Sequence, residues 1–340
     1  MNDALKNKIL LAHGGGGRLT NNLITSRILP KFGNEILAEL QDSASIELDS
    51  ASVCFTTDSY TVKPLFFNGG DIGKLAVCGT INDLAVAGAK PVALSLSLII
   101  EEGFGLDVLD KILASAAKAA SEAGVCIVTG DTKVVETGAA DGIFINTSGL
   151  GTKLPGTNLS FAQIEPGDKI IINGTIGDHG MTIMSQREGI KFESLLKSDC
   201  ASVAPLTCKI LENPDGFKFM RDPTRGGLSA TLNEITAATG HSMKLIENNI
   251  PVNPSVQAAA DMLGFDLLNI ANEGKVVIVT APDTADKVLD LCKTHPLGTD
   301  AAIIGQIVAS EDMPIVEVIT KVGGSRIVQM PYGREFPRIC

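Results

Sequence analysis

The sequence holds no C-x-x-C pair, no apolar run long enough to cross a bilayer and no surplus of basic residues. Each absence removes a class of function. Its seven cysteines, at positions 54, 78, 126, 200, 208, 292 and 340, are odd in number and lack metal-ligand spacing, which argues against both a zinc module and a secreted disulfide framework. The longest apolar stretch, Val92 to Ile100, is broken by serines and falls far short of the ~20 residues of a membrane-spanning helix. Met1 to Lys8 is polar and has no apolar signal core, so a cytoplasmic location without a membrane partner is expected. With 28 Lys and Arg against 39 Asp and Glu, the formal net charge of −11 argues against nucleic acid as the main partner, because phosphate backbones are held by clustered basic side chains. Four glycines run from Gly14 to Gly17, but no Gly-Lys-Ser/Thr follows, so His13 to Arg18 is not a Walker loop; it suits a segment that closes over a ligand. No internal repeat or low-complexity segment stands out.

What is present describes a folded protein of two domains: 340 residues, 44% hydrophobic and 20% charged. Val53 to Thr57 reads as a strand delivering Asp58 at its end. Ile72 to Ala87 reads as a helix carrying Asn82 and Asp83, and Asp107 to Ala123 as a second helix feeding the strand Val125 to Thr129, which delivers Gly130-Asp131-Thr132-Lys133. Ile143 to Leu150 closes this half. Three aspartates beside strands and glycines, with almost no basic loop, suggest divalent cations bridging carboxylates to a nucleotide, since magnesium favours one or two carboxylates plus phosphate oxygens. An isolated aspartate more often caps a turn; the repetition of the placement is what points to a shared site. Cys54, Cys78 and Cys126 lie in apolar runs and read as small core residues.

The pattern loosens at Leu154 to Asn158, where the domain boundary is placed, and resumes with the strand Lys169 to Asn173. Gly177-Asp178-His179-Gly180 opens a helix through Arg187; a histidine there is more often a satisfied polar residue than a catalyst. Arg221-Asp222-Pro223-Thr224-Arg225-Gly226-Gly227 runs into a helix from Leu228 to Thr239, so guanidinium charge and a helix N-terminus converge where an anion would sit. Glu273, ahead of the strand Val276 to Thr280, is out of place near a buried strand unless it caps something or acts as a base. A helix from Thr284 to Thr294 and strands near 301–308, 315–319 and 326–329 complete an α+β layer.

The last ten residues, Pro331 to Cys340, contain two prolines and a glycine, which forbid a regular helix and predict an extended, partly mobile tail reaching about 30 Å. It ends on a thiol. A nucleophile or covalent carrier gains from such a tip. Arg334 and Arg338 favour the thiolate while the terminal carboxylate opposes it, so no strongly perturbed pKa is expected for Cys340.

Together these segments, with Phe55 to Tyr60, Ile72 to Ala76, Asn82 to Ala85, Val128 to Val135, Asn272 to Lys275 and Pro337-Arg338-Ile339-Cys340, resemble the HypE family of carbamoyl dehydratases of [NiFe]-hydrogenase maturation. That family lies within the superfamily of aminoimidazole ribonucleotide (AIR) synthetase and selenophosphate synthetase. A selenophosphate synthetase would need Cys or selenocysteine between His13 and Arg18, where there is none. A non-enzymatic scaffold that docks through its tail would leave the acid-rich cleft without a use. The resemblance implies an AIR synthetase-like fold, α/β and α+β in two domains. Residues 1–40 form a glycine-rich segment, 41–153 an ATP-binding domain pairing into a dimeric β-barrel core, 154–330 an α+β domain and 331–340 the tail. It implies ATP held by Asp58, Lys74, Asn82, Asp83, Asp131, Thr132, Arg225 and Gly226, with Mg²⁺ on Asp58, Asp83 and Asp131. It also implies that HypF carbamoylates Cys340, that ATP drives dehydration of the S-carbamoyl group to S-cyanate, and that the cyanide passes to a HypC–HypD complex. Glu273 and Lys133 are the candidate bases for the nitrogen protons, with Lys133 alternatively steadying phosphates. The tail is then expected to populate two states, outside for loading and inside for dehydration.

Overall fold

The computed structural model describes residues 15, 17–28, 30, 38–48, 51–189, 196–310, 312–333 and 338–340. Most of the glycine-rich segment, and Arg334 to Pro337 of the tail, lie outside the described residues. The first half comprises α1 (Arg18–Leu23), β1 (Ala44–Leu48), β2 (Ala51–Tyr60), the short pair β3 (Phe66–Phe67) and β4 (Gly70–Asp71), α2 (Ile72–Val86), β5 (Ala89–Glu101), α3 (Leu106–Glu122), β6 (Cys126–Val135) and β7 (Ile143–Lys153). The second half adds β8 (Lys169–Ile172), α4 (Asp178–Arg187), α5 (Ala204–Ile210), β9 (Phe217–Arg221), α6 (Gly227–Thr239), β10 (Ser242–Ile246), α7 (Pro254–Leu263), β11 (Val277–Thr280), α8 (Ala285–Lys293), β12 (Ala302–Val308), β13 (Val316–Ile319) and β14 (Ser325–Val328).

Five strands in the order β1-β2-β7-β5-β6 form the first sheet, antiparallel except where α3 carries β5 over to a parallel β6. Its two faces differ. On β7, Ile143, Ile145 and Thr147 alternate inward and pack under α2, with Thr147 Oγ1 donating to the Ala76 carbonyl at 3.0 Å. The other face keeps Phe55 and Leu150, directly opposite each other on β2 and β7, exposed together with Ile99 on β5. This face of the sheet is therefore apolar and open to solvent.

The helix α2 is almost wholly buried because its sequence offers few charges and several small residues at contact points. Asp71 caps it, accepting from the Gly73 and Lys74 N–H groups at 2.8 and 3.1 Å. Glycine at 79 lets the Tyr60 ring approach to where a Cβ would lie 2.3 Å from its hydroxyl. α2 packs between the first sheet and α3 on one side and α5 on the other, and so joins the two halves in one apolar core.

The second sheet has seven strands in the order β14-β13-β10-β12-β8-β11-β9. Its centre, Ile170 to Ile172 of β8 and Val277 to Thr280 of β11, is buried on both faces and reads as continuous β-branched sequence for that reason. The helices expected from the sequence are present, with ends moved by one or two residues. Two strands run longer than expected, β2 through Tyr60 and β6 through Val135, so Asp58 and Asp131 are mid-strand side chains and not strand-end residues. Cys126 is exposed instead of packed in the core, because β6 is an edge strand covered by neither helix layer. Among the described residues no helix is long and apolar enough to cross a membrane.

Candidate active site

Between the two halves lies a cavity of about 360 Å³ lined by Asp42, Asp58, Asp83 and Asp222, by Arg225 and Glu273, and by the sulfur-bearing residue Cys340. They come from several elements. Asp58 projects from β2, Asp83 from the last turn of α2, Asp222 and Arg225 from the loop between β9 and α6, and Glu273 from the segment before β11. That loop is shaped by glycine: Gly227 sits at φ 58°, and a Cβ there would meet the Ile270 carbonyl oxygen at 2.4 Å. Gly226, at φ 79°, is the N-cap of α6 and supplies no side-chain cap, so the first N–H groups of the helix face the loop without one. Gly17 and Thr20 close one wall, and the Arg18 N–H donates to the Pro331 carbonyl at 3.0 Å, tying the glycine-rich segment to the start of the tail.

The end of the tail is docked inside. Arg338 to Cys340 lie along Thr61 to Lys63 as an added extended segment: the Thr61 N–H donates to the Cys340 carbonyl at 3.0 Å and the Lys63 N–H to the Arg338 carbonyl at 3.3 Å. The Ile339 carbonyl meets His179 Nε2 at 2.8 Å. Arg338 stands at φ 52°, a left-handed turn that costs a non-glycine residue about 1–2 kcal/mol. Its guanidinium is held by Asp141 and, at 2.8 Å, by the Thr61 carbonyl. Ile339 is 2% and Cys340 7% exposed, so the state described is the inside one of the two expected for the tail. The expectation of an unperturbed thiol does not hold. Burial pushes Cys340 up to about 12, with Arg225, whose Nη1 lies 3.7 Å from the sulfur, countering only in part. The arginine at the sulfur is Arg225, whereas Arg338 is spent on Asp141 and Thr61.

Like charges crowd the cavity. Burial and then the charges of Asp222, Asp58 and Asp42 drive the Asp83 carboxyl well above the carboxylate range, and burial followed by Asp42 pushes Asp222 up to about 8. Glu273, 3% exposed, is raised well above its ordinary value by burial and by Asp222, Asp199 and Asp58, against Arg225. Its Oε1 is buried without a hydrogen-bond partner among the described residues. An orphaned acceptor beside several mutually repelling carboxylates is a place that cations and donors would relieve. Among the described residues no three His, Cys, Asp or Glu side chains are arranged to hold a metal alone. The donor set suits a hard divalent cation that takes one or two carboxylates here and the remainder from phosphate and water.

Several expected site residues sit elsewhere. Asp131, Thr132 and Lys133 are exposed on β6, where Lys133 Nζ contacts Asp131 Oδ2 at 2.6 Å. Across the sheet Asp131 faces Ser97, Ser97 faces Asn146 and Asn146 faces Ser59, so three inter-strand spacings, about 14 Å, separate Asp131 from the β2 row next to Asp58. One ion cannot span them within one chain. Lys74 donates to the Gly69 carbonyl at 3.0 Å and does not line the cavity. Asn82 is a buried crosslink: its Nδ2 donates to the Ala201 and Glu273 carbonyls and its Oδ1 accepts from the Val203 N–H at 2.8 Å, which holds the Glu273 backbone in place. Arg221 is engaged by Asp42 at 3.0 Å and Glu234 at 3.3 Å. Asp42 was missed because it stands outside any apolar or glycine pattern. Asp222 stands in the arginine loop between two residues of stronger signal, and its place in the cavity is visible only in the fold.

The family description "AIR synthase related protein, N-terminal domain" matches residues 40–152, and its C-terminal counterpart matches 165–316. The chain is 49% identical over 331 residues, 97% of its length and 95% of the relative's, to the protein of Bradyrhizobium diazoefficiens named carbamoyl dehydratase HypE. Two solved structures share the fold: a HypE–HypF complex, with TM-score 0.86 and 48% identity, covering 91% of this chain and 99% of the other, and a hydrogenase maturation protein HypE in complex with ATP, with TM-score 0.83 and 43% identity, covering 98% and 100%.

Proposed function

The chain belongs to the HypE family of carbamoyl dehydratases, and from that premise we propose that it dehydrates an S-carbamoyl group on its own Cys340 to S-cyanate at the expense of ATP. The observation that carries the reading is the placement of Cys340 in the acidic cavity, beside Arg225 and Glu273, whose Oε1 is without a partner among the described residues. A thiocarbamate oxygen is a poor leaving group. Its attack on the γ-phosphorus of ATP forms the C–O–P bond and releases ADP; loss of the nitrogen protons then forms C≡N as the C–O bond breaks and phosphate departs. The sum is S-carbamoyl plus ATP giving S-cyanate, ADP, phosphate and a proton.

This chain's residues supply the positioning and the charge that phosphoryl transfer needs. Asp58 and Asp83, joined by Asp222, would hold Mg²⁺, which when bound neutralises charge on the transferring phosphoryl group. Arg225 and the N-terminus of α6 face the anionic oxygens. Glu273 takes the proton from the tail nitrogen: burial first, and the neighbouring aspartates second, raise its carboxyl, and cations on those aspartates would offset the second of these causes and favour the carboxylate that acts as base. Asp131, Thr132 and Lys133 enter only from a second copy. The exposed apolar face of Phe55, Ile99 and Leu150 and the β6 edge, which among the described residues pairs with β5 alone, support a dimer in which the two first sheets close on one another. Loading of Cys340 by HypF and delivery of the cyano group to a HypC–HypD complex complete the reading.

The docked tail is held by burial of Ile339, by hydrogen bonds from Thr61, Lys63, Arg187 and His179, and by Arg338 on Asp141 and the Thr61 carbonyl. A carrier exchanges this inside state with an outside one in which Cys340 is loaded. Intact-mass analysis after incubation with the carbamoyl-transfer partner, carbamoyl phosphate and MgATP tests the assignment. Cys340 should gain a carbamoyl mass that loses water only when ATP can be hydrolysed. ATP turnover with Cys340 unmodified throughout would overturn it.

A further inference from the structure

The carbonyl next to Cys340 is held by a side chain that has no part in the chemistry above. His179, fully buried in the first turn of α4, engages both ring nitrogens: Nε2 lies 2.8 Å from the Ile339 carbonyl oxygen and Nδ1 2.8 Å from Ser198 Oγ. Chemistry fixes the direction of these bonds. A carbonyl oxygen only accepts, so Nε2 carries the hydrogen. Ser198 Oγ already accepts the Cys200 N–H at 3.0 Å, which leaves its own hydrogen for Nδ1. The chain therefore runs from the Cys200 N–H through the Ser198 hydroxyl and the imidazole to the Ile339 carbonyl, each member used once. Burial holds His179 below its ordinary pKa, consistent with the neutral ring this direction calls for.

The surroundings fix the ring and its serine. Phe67 packs edge-on against the imidazole at 5.4 Å and 86°, and the Ser198 N–H donates to the Asn68 carbonyl at 2.9 Å. The outer tail carbonyls, of Arg338 and Cys340, take backbone N–H groups of Lys63 and Thr61 and, in addition, the Arg187 guanidinium and, at 3.2 Å, the Thr61 hydroxyl. What sets the bond to the Ile339 carbonyl apart is that its donor is a fully buried ring with its other nitrogen already engaged, so it is left without a protein partner each time the tail departs. We propose that His179 is the latch of the tail: a positioning residue, oriented by Ser198, that sets the fraction of time Cys340 spends inside the cavity. The proposal rests on Cys340 being the carrier.

Iodoacetamide alkylation of Cys340 in the full-length, ligand-free protein reads that fraction, with the half-buried Cys208 of α5 in the same digest as internal control. His179→Phe keeps the packing against Phe67 and removes the donor. It should raise Cys340 alkylation about five- to tenfold, the factor that loss of one buried hydrogen bond corresponds to, and leave Cys208 unchanged. His179→Gln, whose amide N–H can reach the same carbonyl, should return the rate most of the way. In carbamoylated protein the Phe variant should slow MgATP-dependent loss of water by a like factor with the KM for ATP unaltered. A folded Phe variant alkylated at the wild-type rate overturns the latch. Should that variant not fold, Ser198→Ala serves in its place, and an unchanged rate is equally fatal. If alkylation responds as expected while wild-type protein never forms the cyano group, the latch stands and the functional reading is the one that fails.

Discussion

Asp83 and Asp131 are both acids set in apolar sequence, one within a helix and one after a run of strand residues, yet their surroundings push them in opposite directions. Asp83 faces the cavity from α2, and burial among Asp222, Asp58 and Asp42 drives its carboxyl well up. Asp131 stands in solvent on the edge strand β6, and its hydrogen bond with Lys133 draws it down. A carboxyl raised by burial among like charges is a site under strain that a cation relieves; one lowered by a solvated lysine is already satisfied. The lesson is that the pattern identifies the residue type that chemistry needs, while the fold decides whether that residue is buried among like charges or left in solvent.

Breaking the cavity side of this comparison should have the largest effect. Glu273→Gln is expected to cut conversion of carbamoylated Cys340 by about 10²–10⁴-fold, the range of a lost general base, with ATP still bound by calorimetry. Asp83→Asn is expected to lower the MgATP-dependent rate by roughly 10²-fold or more, the scale of removing one electrostatic partner of a transferring group. The same change should raise the melting temperature of the ligand-free protein at pH 8, because asparagine mimics the protonated acid and removes a repelling charge. A variant that loses both activity and stability would contradict that account of the cluster.

Mixing tests the other side. Asp131→Ala and Asp58→Ala protomers, each inactive alone, should recover activity when co-assembled if Asp131 serves its neighbour's cavity. No recovery in a demonstrated mixed dimer places Asp131 outside the site. The pH dependence is a smaller effect with a definite sign. Asp222, raised from 3.8 to about 8, binds its proton more tightly in the folded than in the unfolded state, so its contribution to stability is complete below about 4 and is lost as pH rises through about 8. The melting temperature without ligand should therefore fall between pH 5 and 8, and MgATP should flatten the slope and release protons that calorimetry in buffers of different ionisation enthalpy can count.

Much of the fold was legible because its elements announce themselves: Lys169 to Asn173 as a strand, which β8 matches to within one residue, and Ile72 to Ala87 as a helix, which α2 matches to within one residue. The chemistry-bearing residues Asp58, Asp83, Arg225, Glu273 and Cys340 were also legible and do meet in one cavity. What escaped depends on three dimensions. Asp42 carries no local signal, and it is a site residue only because Arg221 holds it at 3.0 Å. Asn82 resembles a ligand in sequence but is spent on the backbone at Ala201, Val203 and Glu273. The prolines and glycine of the tail suggested mobility, but they say nothing of the backbone of Thr61 and Lys63, which receives its last residues.

The central claim, that the docked tail presents its own substituent to this cavity, is tested most directly by a single turnover of protein carbamoylated at Cys340, mixed with MgATP and followed by the infrared nitrile band. The account predicts a band that grows with one ATP consumed per Cys340, at a first-order rate independent of protein concentration. ATP consumed with the carbamoyl group intact, or a rate that scales with protein concentration, would contradict it.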